Sequence, residues 1–168
     1  MVFLAYGICT RTQWKDMKNS VSKFLLIVTL LILGLSAAPA GFSLIIDPSG
    51  AGIGLPLSTL ELSPFRNFLI PGLFLFSVFG LLPFFLIYGL IKPKQLSLFK
   101  RINPHKKEHW ALVFSFYLGL VLILWISIQL MMGVSHDVLH FIYTLMGILI
   151  VILVNLPTTR KCYMVPWF

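Results

Sequence analysis

The chain has 168 residues, of which 58% are hydrophobic and 11% charged, and its mean hydropathy is +0.95. Soluble domains run at about 45–50% apolar and about 25% charged, so this composition excludes a water-facing enzyme domain, a disordered chain and a nucleic-acid reader. It places the chain in a bilayer, and the formal charge of +8 has to be read by where the charges sit.

The amino end comes first. Residues 1–23 form a basic segment carrying Arg11, Lys15, Lys18 and Lys23. Met17-Lys18-Asn19-Ser20 is a conventional start placed directly before the first apolar run, so residues 1–16 read as an upstream extension or a misassigned start. About 20 mostly apolar residues are needed to cross a hydrocarbon core of roughly 30 Å. Four stretches reach that length: about 24–46, 68–91, 110–132 and 138–156, none containing Asp, Glu, Lys or Arg. Runs this long and uninterrupted satisfy their backbone groups as helices, whereas barrel strands would alternate apolar with polar over shorter segments. The prediction is an all-α, polytopic four-helix bundle forming one membrane domain over 1–168, with residues 157–168 as a tail.

The first span ends in Ala38-Pro39-Ala40, the small-x-small pattern of a signal-peptidase site. The apolar run nevertheless continues through Phe42, Leu44, Ile45 and Ile46. That makes 23 residues from Phe24, longer than the roughly 7–15 of a signal h-region, and a retained span is expected. Gly34 with Ala38, and Ser115 with Gly119, place small residues on one helix face, where backbones can approach closely. Pro83 removes a donor within the second span and predicts a bend there. The phenylalanines at 65, 68, 74, 76, 79, 84 and 85 are expected to pack or face lipid, with a quinone or lipid cavity as the alternative use.

Twelve of the 13 basic residues fall before span one, between spans two and three (Lys92, Lys94, Lys100, Arg101, Lys106, Lys107) or after span four (Arg160, Lys161). Arg66 alone lies in the other two connections. Because Lys and Arg are retained on the cytoplasmic side during insertion, both termini and the central loop are expected to be cytoplasmic. Residues 47–67 and 133–137 then face outward, with 47–64 capping the bundle. The six central-loop cations, interleaved with Leu96, Leu98, Phe99 and Ile102, suit anionic headgroups at about 1 kcal/mol each, and no nucleic-acid partner is expected.

Few groups are left to carry chemistry. Cys9 and Cys162 both fall on the cytoplasmic side without a Cys-x-x-Cys, which argues against disulfide exchange. His136 and His140 stand four residues apart at the start of span four, with Asp137 between them. On a helix they share a face and could hold Zn²⁺ or Cu²⁺ if Asp47 or Glu61 added a ligand. The blander reading makes Asp137 a first-turn acid that complements the helix dipole. In the outer loop, Gly50, Gly52 and Gly54 suit a tight turn better than a phosphate cradle, since no strand precedes them and no Lys follows. An ion pair between Arg66 and Asp47 or Glu61 is expected to pin that loop. Gln129 and Asn155, the most polar groups of spans three and four, are expected to hydrogen-bond between helices.

Asp47-Pro48-Ser49-Gly50, then Gly54-Leu55, Pro64-Phe65 and Leu69-Ile70-Pro71-Gly72, resemble a pattern recurrent in small, uncharacterised four-helix membrane proteins of prokaryotes. The resemblance implies a retained first span and the cytoplasmic (inner) membrane of a bacterium or archaeon, and it supplies no catalytic residues. It also implies an acidic residue near position 129, so the uncharged Gln129 speaks against an ion-coupling carboxylate.

Three functions are carried forward. The favoured one is a non-enzymatic membrane component that packs against a membrane-protein partner or a second copy of itself, with no cofactor. The second is a lipid- or quinone-binding protein with a cavity between spans two and three beneath the cap. The third is a metal-dependent or proton-linked activity in the outer set Asp47, Glu61, Arg66, Gln129, His136, Asp137 and His140.

Overall fold

The computed structural model describes residues 21–92, 104, 108–132 and 138–163. Four helices are long and apolar enough to cross a membrane, and no strand occurs among the described residues. They are α1 (Val21–Ile46), α2 (Leu69–Ile91), α3 (Trp110–Met131) and α4 (Val138–Asn155), followed by a short α5 (Pro157–Cys162). α1 starts three residues before the apolar run, so Lys23 belongs to the helix itself. Each long helix packs on its neighbour in sequence and α1 also packs on α4, which closes a ring of four. Leu26, Leu30, Leu33, Phe79, Leu86, Leu90, Trp110, Leu112 and Ile150 form the core, while Leu31, Leu35, Leu73, Leu124, Ile148 and Ile152 lie exposed on the outside. An apolar exterior of this extent suits acyl chains rather than water.

Small residues set the closest crossings. A Cβ on Gly41 would stand 2.5 Å from the Phe76 backbone nitrogen, one on Gly80 2.9 Å from the Ala38 Cα, and one on Gly34 3.0 Å from the Phe84 ring. α1 and α2 therefore meet along Gly34, Ala38 and Gly41, extending the stripe expected from Gly34 and Ala38. The expected Ser115–Gly119 face resolves differently. Gly119 meets Gly147 of α4, where a Cβ on either would lie 3.0 Å from the other's carbonyl oxygen. Ser115 is buried and bonds the Ala111 carbonyl at 2.7 Å.

Within α2, residues Leu75–Leu81 wind as a π-helix before the α-helix resumes at Leu82. Pro83 has no N–H to return to the preceding turn, and local π adjustment is one way a membrane helix re-satisfies freed backbone groups. Pro39 lies inside α1, which runs through the Ala40–Gly41 bond without interruption.

The polar side chains of the helices bond mostly to their own backbones. Thr29, Ser77, Ser127 and Thr144 each donate to the carbonyl four residues earlier at 2.7–2.8 Å. Asn155 does the same through Nδ2 to the Val151 oxygen at 2.8 Å. This corrects the expectation of an interhelical bond from Asn155. A carbonyl one turn back is always within reach and needs no alignment with a neighbouring helix.

Candidate functional site

The two ends of the bundle are built differently. At the end carrying residues 47–68, here the cap end, the connection between α1 and α2 folds back over the helices. Asp47 organises its first turn. Its Oδ1 accepts from the Ser49 backbone N–H at 3.1 Å and from the Ser49 hydroxyl, and its Oδ2 accepts from the Gly52 N–H at 3.0 Å. Those bonds, the Ser49 hydroxyl foremost, hold the Asp47 carboxyl below its ordinary pKa. Gly50 and Gly54 have φ of 77° and 71°, the left-handed region that favours glycine. Gly50 also lies so close to the Leu55 carbonyl and the Phe68 ring that any Cβ would collide. The Phe68 N–H then donates to the Pro48 oxygen at 2.9 Å, closing the loop onto the start of α2.

Beneath this cap lies a cavity of about 410 Å³, within the roughly 300–1,000 Å³ of small-molecule sites. Its roof is Leu55, Thr59, Leu60, Ser63, Phe65 and Phe68. Its walls come from all four long helices, through Leu33 and Leu44 of α1, Leu75 and Phe79 of α2, Trp125 and Gln129 of α3, and His140 and Tyr143 of α4. The lining of α1 runs from Leu33 to Leu44, a rise of about 16 Å at roughly 1.5 Å per residue, so the cavity descends well into the bundle. Trp125 is held against Phe74 and Phe79, with ring centroids 4.5 and 6.4 Å apart.

The sequence-level candidates divide sharply here. Gln129 and His140 line the cavity. Gln129 is thus a wall residue rather than the interhelical link expected for it. His140 Nδ1 is buried and finds no hydrogen-bond partner among the described residues. Glu61 and Arg66 lie exposed on the cap, and Asp47 stabilises its turn; none of the three lines the cavity. The expected Arg66–carboxylate pair is absent. Among the described residues the one ion pair joins Glu108 and Arg160, because Asp47 already spends its oxygens on loop N–H groups and Glu61 and Arg66 remain in solvent. No three His, Cys, Asp or Glu residues gather among the described residues, and His136 and Asp137 lie outside them. Phe65, Phe68 and Phe79 of the phenylalanine-rich stretch face the cavity. The turn and roof are built largely from the motif residues Asp47, Pro48, Gly50, Leu55 and Phe65, joined by Pro71.

The opposite, tail end holds a polar knot that no sequence motif signalled. His109 is buried and caps α3, its Nδ1 accepting from the Ala111 N–H at 3.3 Å, while its backbone N–H donates to the Tyr163 carbonyl at 2.9 Å. The Tyr163 hydroxyl donates to the Leu90 carbonyl of α2 at 2.8 Å. Ser22 of α1 meets Thr158 of α5 at 3.0 Å, and Arg160 meets Glu108 at 2.7 Å. Burial, and after it the neighbouring Cys162, pushes the Tyr163 phenol above its ordinary pKa. Gly89 makes room for Trp110, since a Cβ there would fall 2.5 Å from the indole. Lys23 and Lys92 stand over the rings of Tyr163 and Tyr88 at 5.6 and 5.3 Å. Of the cations expected to contact anionic lipid, Lys92 is exposed at this end, and Lys94, Lys100, Arg101, Lys106 and Lys107 lie outside the described residues.

No protein-family model, curated protein or solved structure matches the chain.

Proposed function

We propose that the protein is a non-enzymatic, multi-pass component of a prokaryotic cytoplasmic membrane that binds a lipid-soluble small molecule beneath its cap. The cavity carries this reading: it is roofed, descends between the helices and is lined mainly by apolar and aromatic side chains with a few polar groups, the usual make-up of a ligand site. The cap end faces outward and the termini face the cytoplasm. Among the described residues Lys23, Lys92, Arg160 and Lys161 gather at the tail end, whereas Arg66 is the cation of the cap, in keeping with retention of positive charge inside. A retained first span is supported by Gly41, beyond the Ala40–Gly41 bond, which packs closely against the Phe76 backbone at the α1–α2 crossing.

Native mass spectrometry of the protein released from nanodiscs tests the binding. The wild-type chain is expected to retain a lipid-soluble molecule, and Ala40→Trp, which fills the cavity from α1, is expected to lose it. A wild-type protein that carries no more than bulk lipid, and carries it equally in Ala40→Trp, would overturn the reading. For orientation, a membrane-impermeant maleimide should label a Ser58→Cys protein in intact cells and reach Cys162 only after the membrane is opened.

A further inference from the structure

The shape of the cavity identifies the class of molecule that would fill it, on the reading proposed above that the cavity is a binding site. We infer that the occupant is a single linear hydrocarbon chain, that of a fatty acid or one acyl chain of a membrane lipid. It enters from the cap end and runs down between the helices, with its polar head left at the mouth.

The lining fixes direction and length. On α1 it is Leu33, Ala37, Ala40 and Leu44, and on α3 it includes Leu122, Trp125, Ile126 and Gln129. Spacings of three and four keep each set on one face of its helix, so the cavity is a shaft along the spans rather than a slot across them. The α1 stripe is about 16 Å long at roughly 1.5 Å per residue. Spread over that length, about 410 Å³ leaves a mean cross-section of about 26 Å². A zigzag hydrocarbon chain touching its surroundings at about 4–4.5 Å needs roughly 20 Å². One chain fits, and two abreast do not. At roughly 1.25 Å per carbon, from tetrahedral bonds of about 1.5 Å, the shaft takes about 13 carbons.

Exposure and polarity set which end of the chain goes in. At the floor Leu33, Ala37, Phe79, Leu122 and Ile126 are all buried and all apolar. Toward the cap the lining opens. Ile53 and Leu139 are 39% and 55% exposed, and Thr59, Ser63 and Gln129 are partly exposed. The α4 share of the lining is Leu139, His140 and Tyr143, all in its first two turns, so four helices wall the upper shaft and three the lower. A methyl end therefore belongs at the floor, where a polar group would be buried without compensation, and the head stays among the exposed residues of the mouth. Acyl chains are as apolar as this lining, so exclusion of water is not what holds the occupant. The gain is dispersion contact on all sides in a narrow space, which selects for width and length and leaves the head unspecified.

Photolabelling of the protein in nanodiscs tests the assignment. The probes are hexadecanoic acid with a diazirine at its methyl end, the same acid with the diazirine beside the carboxyl, a phosphatidylcholine carrying the methyl-end label on one chain, and adamantyl diazirine as a compact apolar probe. The methyl-end label should mark Leu33, Phe79 or Leu122, and the carboxyl-side label Ile53, Thr59 or Leu139. The carrier, acid or phospholipid, that marks the floor more strongly identifies the source of the chain. Floor marking should be lost in Ala40→Trp while the exposed Leu124 and Ile148 are marked as before. A methyl-labelled octanoic acid, which needs no variant, should mark the upper shaft and miss the floor, and adamantyl diazirine should stop at the mouth. If the compact probe marks the floor as strongly as the chain, or both ends of the acid mark the same residues, the chain assignment is overturned while the cavity remains a binding site. If no probe marks any lining residue, the binding reading itself fails with it.

Discussion

The two ends of this bundle solve the same problem in opposite ways. Both must finish four apolar helices where the chain becomes polar. The tail end does so by filling space, with the Trp110 indole buried against Gly89, Tyr163 plugged onto the Leu90 carbonyl, and Ser22, Glu108, Thr158 and Arg160 paired across elements. The cap end spends its hydrogen bonds inside one loop, through Asp47, Ser49 and Gly52, and leaves about 410 Å³ open below it. A packed end resists deformation, since protein interiors tolerate few voids. A hollow end can exchange contents, and its stability does not depend on every side chain around the space. Close packing and open space are thus assigned to different ends of the same four helices.

Tryptophan substitutions test this contrast most strongly. Trp110→Ala should cost about 3–5 kcal/mol, the range for truncating a large buried ring, read as a lowered midpoint of thermal or denaturant unfolding in mild detergent. Trp125→Ala at the cap end merely enlarges an existing space, so its stability loss should be clearly smaller and its main effect should fall on ligand retention. Equal losses at the two positions would erase the distinction between a packed and a hollow end.

Next in size is Gly41→Ala. Its Cβ would meet the Phe76 backbone rather than a flexible side chain, so α1 and α2 must separate, at about 1–3 kcal/mol for overpacking. Gly54→Ala meets no atom within 4 Å, and its cost should be limited to the strain of its positive φ, about 1 kcal/mol. Comparing the two by unfolding midpoint separates helix contact from loop conformation.

Tyr163→Phe removes the bond to the Leu90 carbonyl and should cost about 1–2 kcal/mol, whereas Glu108→Gln, which weakens a partly exposed ion pair, should cost at most about 1 kcal/mol. Denaturant titration of both variants at the same pH ranks them.

The smallest effect is a matter of pH, and it should distinguish the ends by sign. Asp47 has its pKa lowered in the folded protein, so its contribution is present above the ordinary carboxylate value of about 3.9 and is lost as pH falls through the depressed value. Tyr163 has its pKa raised, so its contribution is full below about 10 and is lost as pH climbs through the raised value. Acid should therefore loosen the cap and alkali the tail. Amide exchange at Ser49 and Gly52, corrected for the intrinsic rate, should accelerate in acid in the wild-type protein, and Asp47→Asn should exchange fast at every pH. Loosening of both ends together at one extreme would show that they are a single cooperative unit.

Much of the architecture was legible in the chain because lipid imposes a simple rule. A backbone without water must bond to itself, so four long apolar runs become four helices whatever their side chains do. The π-turn before Pro83 and the left-handed glycines of the cap follow from local chemistry of the same sort. The Gly34–Ala38 face was readable because small residues one turn apart mark a close crossing. Gly147 was not, since a single glycine declares no partner until Gly119 stands opposite it.

The site was only half legible. Polar residues near the cap end stood out as a set, but the chain offered no means of telling Gln129 and His140, which line the cavity, from Glu61 and Arg66, which lie exposed. His109 and Tyr163 read as loop and tail residues, and a contact across more than fifty positions buries them. The sequence by itself determined composition, helix number and the sorting of charge, because each depends on a residue's own transfer energy or on its near neighbours. The tertiary structure alone decided which end is solid, which is hollow and which polar groups face the space, because those depend on where side chains from four separate helices meet.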